Sequence, residues 1–199
     1  MRWFNKSERP VADLSGLDAV RTSSVITAER AYDLAAGGDL EGAITLFREE
    51  GDGYQRLLEG TTVRLSRDMR ALLTLHRGNA LVEQARMEAR AQDLDAALVD
   101  SARAVKILRG IDVGPPQNAR VLAWALNLYA AFRLAAHAER EEPVAATNEA
   151  ERLLAASGPP PPYSEIHLPS VLATRMALLS DLGRVDEVIE VQKQIQRLF

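Results

Sequence analysis

Apolar residues along this chain recur at intervals of three and four, in runs separated by short breaks of small or acidic residues. That interval marks amphipathic helices, because residues three and four apart share one helical face. The clearest break is Gly37-Gly38-Asp39-Leu40-Glu41-Gly42-Ala43-Ile44-Thr45-Leu46-Phe47. Near-copies stand at Gln92-Asp93-Leu94-Asp95-Ala96-Ala97-Leu98 and at Gly183-Arg184-Val185-Asp186-Glu187-Val188-Ile189. Each copy closes one helix and opens another with acidic residues in its first turn, where carboxylates meet unpaired amides and the positive end of the helix dipole. The recurrence predicts an all-α chain built from helical hairpins.

Taken in order, residues 1–21 show no sustained period and carry Pro10 and Ser15-Gly16, so they are expected to form an irregular arm, with residues 22–199 as the repeat domain. Trp3 and Phe4 in that arm either pack on the first helices or anchor a partner. Thr22 or Ser23 is expected to cap a helix reaching Ala36. A second helix runs from Asp39 to Glu59, with a kink expected at Gly51-Asp52-Gly53. A third is expected from Val63 to Ala91, with Gly78-Asn79 a weak point costing about 1 kcal/mol relative to alanine. A fourth runs from Asp93 to Arg109. Gly114-Pro115-Pro116 lies in a loop, and Asn118 to Ala138 is apolar nearly all round, which predicts the centre of the array. Glu139-Arg140-Glu141-Glu142-Pro143 is read as the third hairpin turn. Ser157-Gly158-Pro159-Pro160-Pro161-Pro162-Tyr163 reads as a stiff extended spacer rather than a ligand for WW-type domains. The last hairpin joins Ser164–Leu182 to Val185–Phe199.

The turn centres near 38, 92, 140 and 183 are about 54, 48 and 43 residues apart. At these residues the chain resembles the tetratricopeptide repeat family. Ala31, Leu34, Gly38-Asp39, Ala43 and Phe47 match its template in the first unit, and Glu50 stands where a second alanine belongs. Ala85, Asp93, Ala97 and Ala104 match in the second, with Ser101 in place of the aromatic. The fourth keeps Gly183 and Val188 but has Met176 at the mid-helix small position, and the third has no turn match. The resemblance implies an all-α right-handed superhelix of about four antiparallel helical hairpins, a TPR-like α-solenoid. It implies elongated helices too, because the family's units are shorter, at about 34 residues. Small residues at the crossings let helices approach to about 8–10 Å.

Composition narrows the partners. A net charge of −4 argues against unspecific binding to nucleic acid or an anionic membrane. With no cysteine there is no disulfide, thiolate site or cysteine nucleophile. The run from Val121 to Ala136 carries Asn127 and Arg133 and is too short to span a membrane, and no signal peptide is read at the start, so a cytoplasmic protein is expected. An excess of Arg over 3 Lys residues points to a GC-rich, bacterial source.

No catalytic constellation is read: His76, His137 and His167 are far apart, and no glycine-rich phosphate loop exists. The chain is therefore expected to be no enzyme, to need no cofactor or metal, and to bind another protein or peptide. The resemblance maps Tyr32, Asn79, Arg86 and Arg90 to first-helix positions lining a concave groove, where Arg86 and Arg90 would meet an acidic peptide. Ala28 and Val82 occupy two positions of the family's carboxylate clamp, so a reader of chaperone tails is disfavoured. Arg67, Arg70 and Arg77 form a basic stripe opposite the apolar face of their helix, read as a solvated face or a contact for an acidic partner. The alternative function is self-association into a homo-oligomer through the apolar last helix, at Ile195, Leu198 and Phe199.

Overall fold

A computed structural model describes residues 14–60, 65–158 and 168–198. These form eight helices: α1 (Leu14–Ala36), α2 (Leu40–Gly60), α3 (Arg67–Arg90), α4 (Leu94–Leu108), α5 (Pro116–Ala135), α6 (Glu141–Ala156), α7 (Leu168–Asp181) and α8 (Val185–Gln196), with no strand among the described residues. Every helix packs on the next in sequence. The odd-numbered helices also approach in series, α1 on α3, α3 on α5 and α5 on α7, whereas the backbones of no two even-numbered helices come together and only side chains such as Arg103 and Gln55 bridge them.

One turn geometry recurs at all four hairpins. The residue just past each odd helix takes left-handed backbone: Gly38 (φ 91°), Gln92 (φ 68°), His137 (φ 51°) and Gly183 (φ 69°). The amide that follows donates back to the carbonyl five residues earlier: Asp39 to Leu34 (2.9 Å), Asp93 to Glu88 (2.9 Å), Ala138 to Arg133 (3.2 Å) and Arg184 to Leu179 (3.0 Å). A second bond runs from the left-handed residue itself, as from Gln92 to Ala89 at 3.1 Å. Together these are a Schellman closure, which satisfies carbonyls that the helix end leaves orphaned. The next helix is then capped from the side. Asp39 accepts from the Gly42 amide at 2.8 Å and Asp93 from the Ala96 amide at 3.1 Å. In the third turn Glu139 accepts from the Glu141 amide at 2.6 Å.

The third turn thus centres on His137, earlier than the Glu139–Pro143 segment expected from sequence. Two extra residues separate it from its helix: α6 starts four residues past its left-handed residue, whereas α2, α4 and α8 start two past theirs. Register from these turns aligns the small residues. Ala31, Ala85 and Ala130 each stand seven residues before a left-handed residue, and all are fully buried. Ala43, Phe47, Ala97, Ser101 and Ala104 are buried on the second helices.

Other boundaries differ from expectation for local reasons. α1 begins at Leu14, not near Thr22; Asp18, Ala19, Arg21, Thr22 and Ser23 are exposed, so these residues write little period into the sequence. α2 is unbroken through Gly51-Asp52-Gly53, with Gly51 buried and facing Ala80 of α3. α3 starts later than expected, capped by the Ser66 hydroxyl, which accepts from the Met69 amide at 3.1 Å. Pro116 opens α5 at the first helical position, where its missing N–H costs nothing. α5 ends at Ala135, one turn sooner than expected. Trp3, Phe4, the proline run and Phe199 lie outside the described residues. The core is centred on α3 and α5 jointly: Leu75, Val82, Leu108, Leu122 and Leu126 share one cluster.

Two predictions follow from the turns and crossings. Gln92→Gly and His137→Gly should each raise stability by about 0.5–1 kcal/mol, since left-handed backbone costs a side-chain-bearing residue about 1–2 kcal/mol and glycine's looser unfolded chain returns part of that. Gly38→Ala, with nothing near its Cβ, should lose about 1 kcal/mol from backbone strain alone. Gly78→Ala should cost about 1–3 kcal/mol, because the new methyl would overlap Leu108 across the α3–α4 crossing. Urea unfolding of the four variants measures each effect.

Candidate functional site

Burial makes α3 the helix whose polar residues carry the most information. From Gly78 to Glu88 nearly every residue is buried, including Glu83, Gln84 and Glu88. Helical geometry divides them between two sides. Asn79, Glu83, Arg86 and Arg90 project one way and Arg77, Leu81, Gln84 and Glu88 the other.

The first side meets α1 and holds all four residues expected to line a groove. Arg86 Nε lies 3.1 Å from Glu83 Oε2, and its guanidinium stands 5.3 Å from the centre of the Tyr32 ring. Tyr32 in turn sets its edge against Phe47 at 5.8 Å. Arg90 donates to the Ala35 carbonyl at 3.5 Å and keeps an exposed side chain, and Asn79 is half-buried two turns away. Tyr32, Arg86 and Arg90 therefore meet at the α1–α3 junction.

The second side forms the floor of a cleft of about 560 Å³ between α2 and α4, lined by Arg48, Asp52, Arg77, Gln84, Glu88, Asp95, Asp100 and Arg103 among others. At one end Arg77 and Arg103 converge on one neutral oxygen, Gln55 Oε1, at 2.7 and 3.4 Å. At the other, the Gln84 amide spends both hydrogens on carboxylates, Glu88 Oε1 at 2.8 Å and Asp100 Oδ2 at 2.6 Å. Glu88 is only 3% exposed, and its Oε2 has no hydrogen-bond partner. Burial pushes the Glu88 carboxyl up to about 7, with the Asp100 charge adding to the rise and the Gln84 bond opposing it. Burial likewise lowers Arg77, with Arg103 beside it adding to the effect.

Analogous space recurs between the next even helices. A cleft of about 570 Å³ lies over α5 between α4 and α6, where Arg109 meets Glu149 at 2.5 Å and the Tyr129 hydroxyl donates to Glu142 at 2.9 Å. Between α6 and α8, Arg175 of α7 is buried and donates to Asn148 (2.5 Å), Glu151 (2.6 Å) and Gln194 (2.9 Å). Gln84, Tyr129 and Arg175 each stand eight residues before a left-handed residue, so one register position on the odd helices faces the two clefts and, at Arg175, the neighbouring helices α6 and α8.

The remaining sequence candidates disperse. Arg67 and Arg70 are exposed, and Arg77 lines the first cleft. Ile195 packs partly buried with Val191, Leu178 and Leu179, Leu198 is exposed, and Phe199 lies outside the described residues. His76 stacks on Tyr54 at 5.7 Å, and burial lowers its pKa. Among the described residues no three potential metal ligands cluster, and no helix is long and apolar enough to cross a membrane. Sequence reasoning missed Gln84, Glu88, Asp100 and Arg175. Their one trace in the sequence is a polar series on α3, Arg77, Gln84 and Glu88, which reads as a solvated face until α2 and α4 cover it.

No protein-family model, curated protein or solved structure matches the chain.

The Glu88 carboxyl holds its proton more tightly folded than unfolded, so stability should fall as pH rises from about 4.5 to about 7. Glu88→Gln should remove that slope and leave the protein more stable above neutrality by an amount on the order of 2–3 kcal/mol. Urea midpoints across this range measure it. An unchanged slope in the variant would mean that Glu88 is ionised at the usual carboxylate pH.

Proposed function

We propose that the chain is a non-catalytic scaffold that binds another protein or peptide. In this reading the hairpins form a right-handed superhelix of tetratricopeptide type, whose odd-numbered helices line the concave side. The observation that carries the reading is the asymmetry of backbone approach: the odd helices come close to one another and the even helices do not. An array packed in that way curves around its odd helices. The recurrent Schellman turn and the buried alanines seven residues before three of its copies support a repeat register. On this geometry Tyr32, Asn79, Arg86 and Arg90 share the inner side. A cytoplasmic site of action and a bacterial source belong to the same proposal.

A second reading, self-association through the last helix, draws on Val185 and Ile189. They are 64% and 43% exposed and one turn apart on α8. A monomeric mass by light scattering at high protein concentration would contradict it.

The inner-side assignment is tested with Arg90→Glu combined with Asn79→Arg. These side chains are exposed or half-buried, whereas Arg86 is committed to Glu83. Affinity purification of the full chain from its native cells should recover a specific partner, and the double variant should recover roughly tenfold less of it with unchanged circular dichroism. Equal recovery would contradict the assignment.

A further inference from the structure

We infer that the cleft between α2, α3 and α4 is a receptor site for an arginine side chain of a partner protein, held by Glu88 and Asp100. The inference rests on the reading of the chain as a partner-binding scaffold, and it adds a second binding surface on the side opposite Arg90.

The cleft holds an incomplete set of hydrogen bonds. Gln84 has two amide hydrogens, and both are spent, on Glu88 Oε1 and Asp100 Oδ2. Glu88 Oε2 is left inside without a donor. A buried acceptor in that state is costly, and more so when it is charged. Three groups could complete it: a proton, a cation of this chain, or a cation from outside. The chain's own cations are placed elsewhere. Arg77 and Arg103 point to Gln55, and Arg48 lines the cleft and lowers the Glu88 pKa slightly through its charge, with no hydrogen bond or ion pair to either carboxylate among the described residues. The proton is held only to about neutral pH. That leaves the open space of about 560 Å³ directly in front of the pair.

The rest of the array shows what completes the same arrangement. At the equivalent register position of the last hairpins stands Arg175, enclosed by a carboxylate (Glu151) and two amides (Asn148, Gln194). In the middle cleft Arg109 is matched to Glu149. Among the described residues, the first cleft gathers two carboxylates and an amide with no arginine hydrogen-bonded to them, and Arg48 acts on Glu88 through its charge alone. A guanidinium suits the gap better than an ammonium, because its planar fork offers parallel N–H pairs to two carboxylates at once. Asp95, exposed on α4 at the same cleft, adds negative charge at the entrance.

The test uses the purified full chain, isotope-labelled for NMR and titrated with the capped tripeptide acetyl-Gly-Arg-Gly-amide. The control is its citrulline analogue, which has the same shape and no charge. The expected result is saturable shifts in the Gln84 side-chain amide and the Glu88 and Asp100 backbone amides, with a Kd near 1 mM, absent with citrulline. Binding should tighten between about pH 6 and about pH 8, as the arginine displaces the Glu88 proton. Glu88→Gln should weaken it roughly tenfold; should that variant unfold, the half-buried Asp100→Asn serves in its place. Shifts that fail to saturate, that are equal with citrulline, or that fall on the exposed acids Glu141 and Glu187 instead would overturn the site. Loss of this titration beside an intact effect of Arg90→Glu on partner capture overturns only the cleft. The reverse pattern overturns only the inner-side reading.

Discussion

Everything in this fold depends on how its odd helices end. At residues 38, 92, 137 and 183 the backbone turns left-handed, and the following amide reaches back five residues to a carbonyl. That closure reverses the chain within a few residues and fixes the angle at which the next helix leaves. With the angle fixed, Ala43 and Phe47, or Ala97 and Ser101, fall against the preceding helix, and Ala31, Ala85 and Ala130 fall where the units cross. Small residues there let α3 sit against both α1 and α5. The even helices, separated by the odd ones, are left with open space between them. The clefts are thus a consequence of the turn and not an independent feature.

Those clefts explain the unusual polarity of α3. A helix flanked by α2 and α4 and touching α1 and α5 has almost no side left for solvent, yet it carries Glu83, Gln84, Arg86 and Glu88. The charges are accommodated in pairs, Glu83 with Arg86 on one side and Glu88 with Gln84 on the other. The first pair is completed by the Tyr32 ring. The second is incomplete, and the consequence is a carboxyl that keeps its proton to about neutral pH.

The helices and three of the four turns were legible in the sequence because glycine and aspartate advertise their roles: left-handed backbone at Gly38 and Gly183, caps at Asp39 and Asp93. The second turn was legible through Asp93 although Gln92 bears the strain. The third was misplaced because His137 carries no such signal and two extra residues precede α6. The early start of α1 was illegible because residues such as Asp18, Ala19, Arg21 and Thr22 are exposed. The groove candidates Tyr32, Asn79, Arg86 and Arg90 were readable as one helical side. Gln84, Glu88 and Asp100 were not, since only tertiary packing distinguishes a covered polar face from a wet one. Gly78 and Gly51 looked like weak points in helices. Gly78 is instead the place where Leu108 comes close, and Gly51 lies buried within an unbroken helix.

The measurement that tests the recurrent turn most directly is amide hydrogen exchange followed by NMR. The amides of Asp39, Asp93, Ala138 and Arg184 each make the same long bond in its hairpin. If the four turns are equivalent, all four amides will be protected alongside the helix ends they close, while Val113 in the α4–α5 loop exchanges at an open-chain rate. Ala138 decides the matter, because its turn alone lacks the sequence signature. Protection at Ala138 equal to that at Asp93 is the predicted result; exchange at the rate of Val113 would contradict an array of four like hairpins.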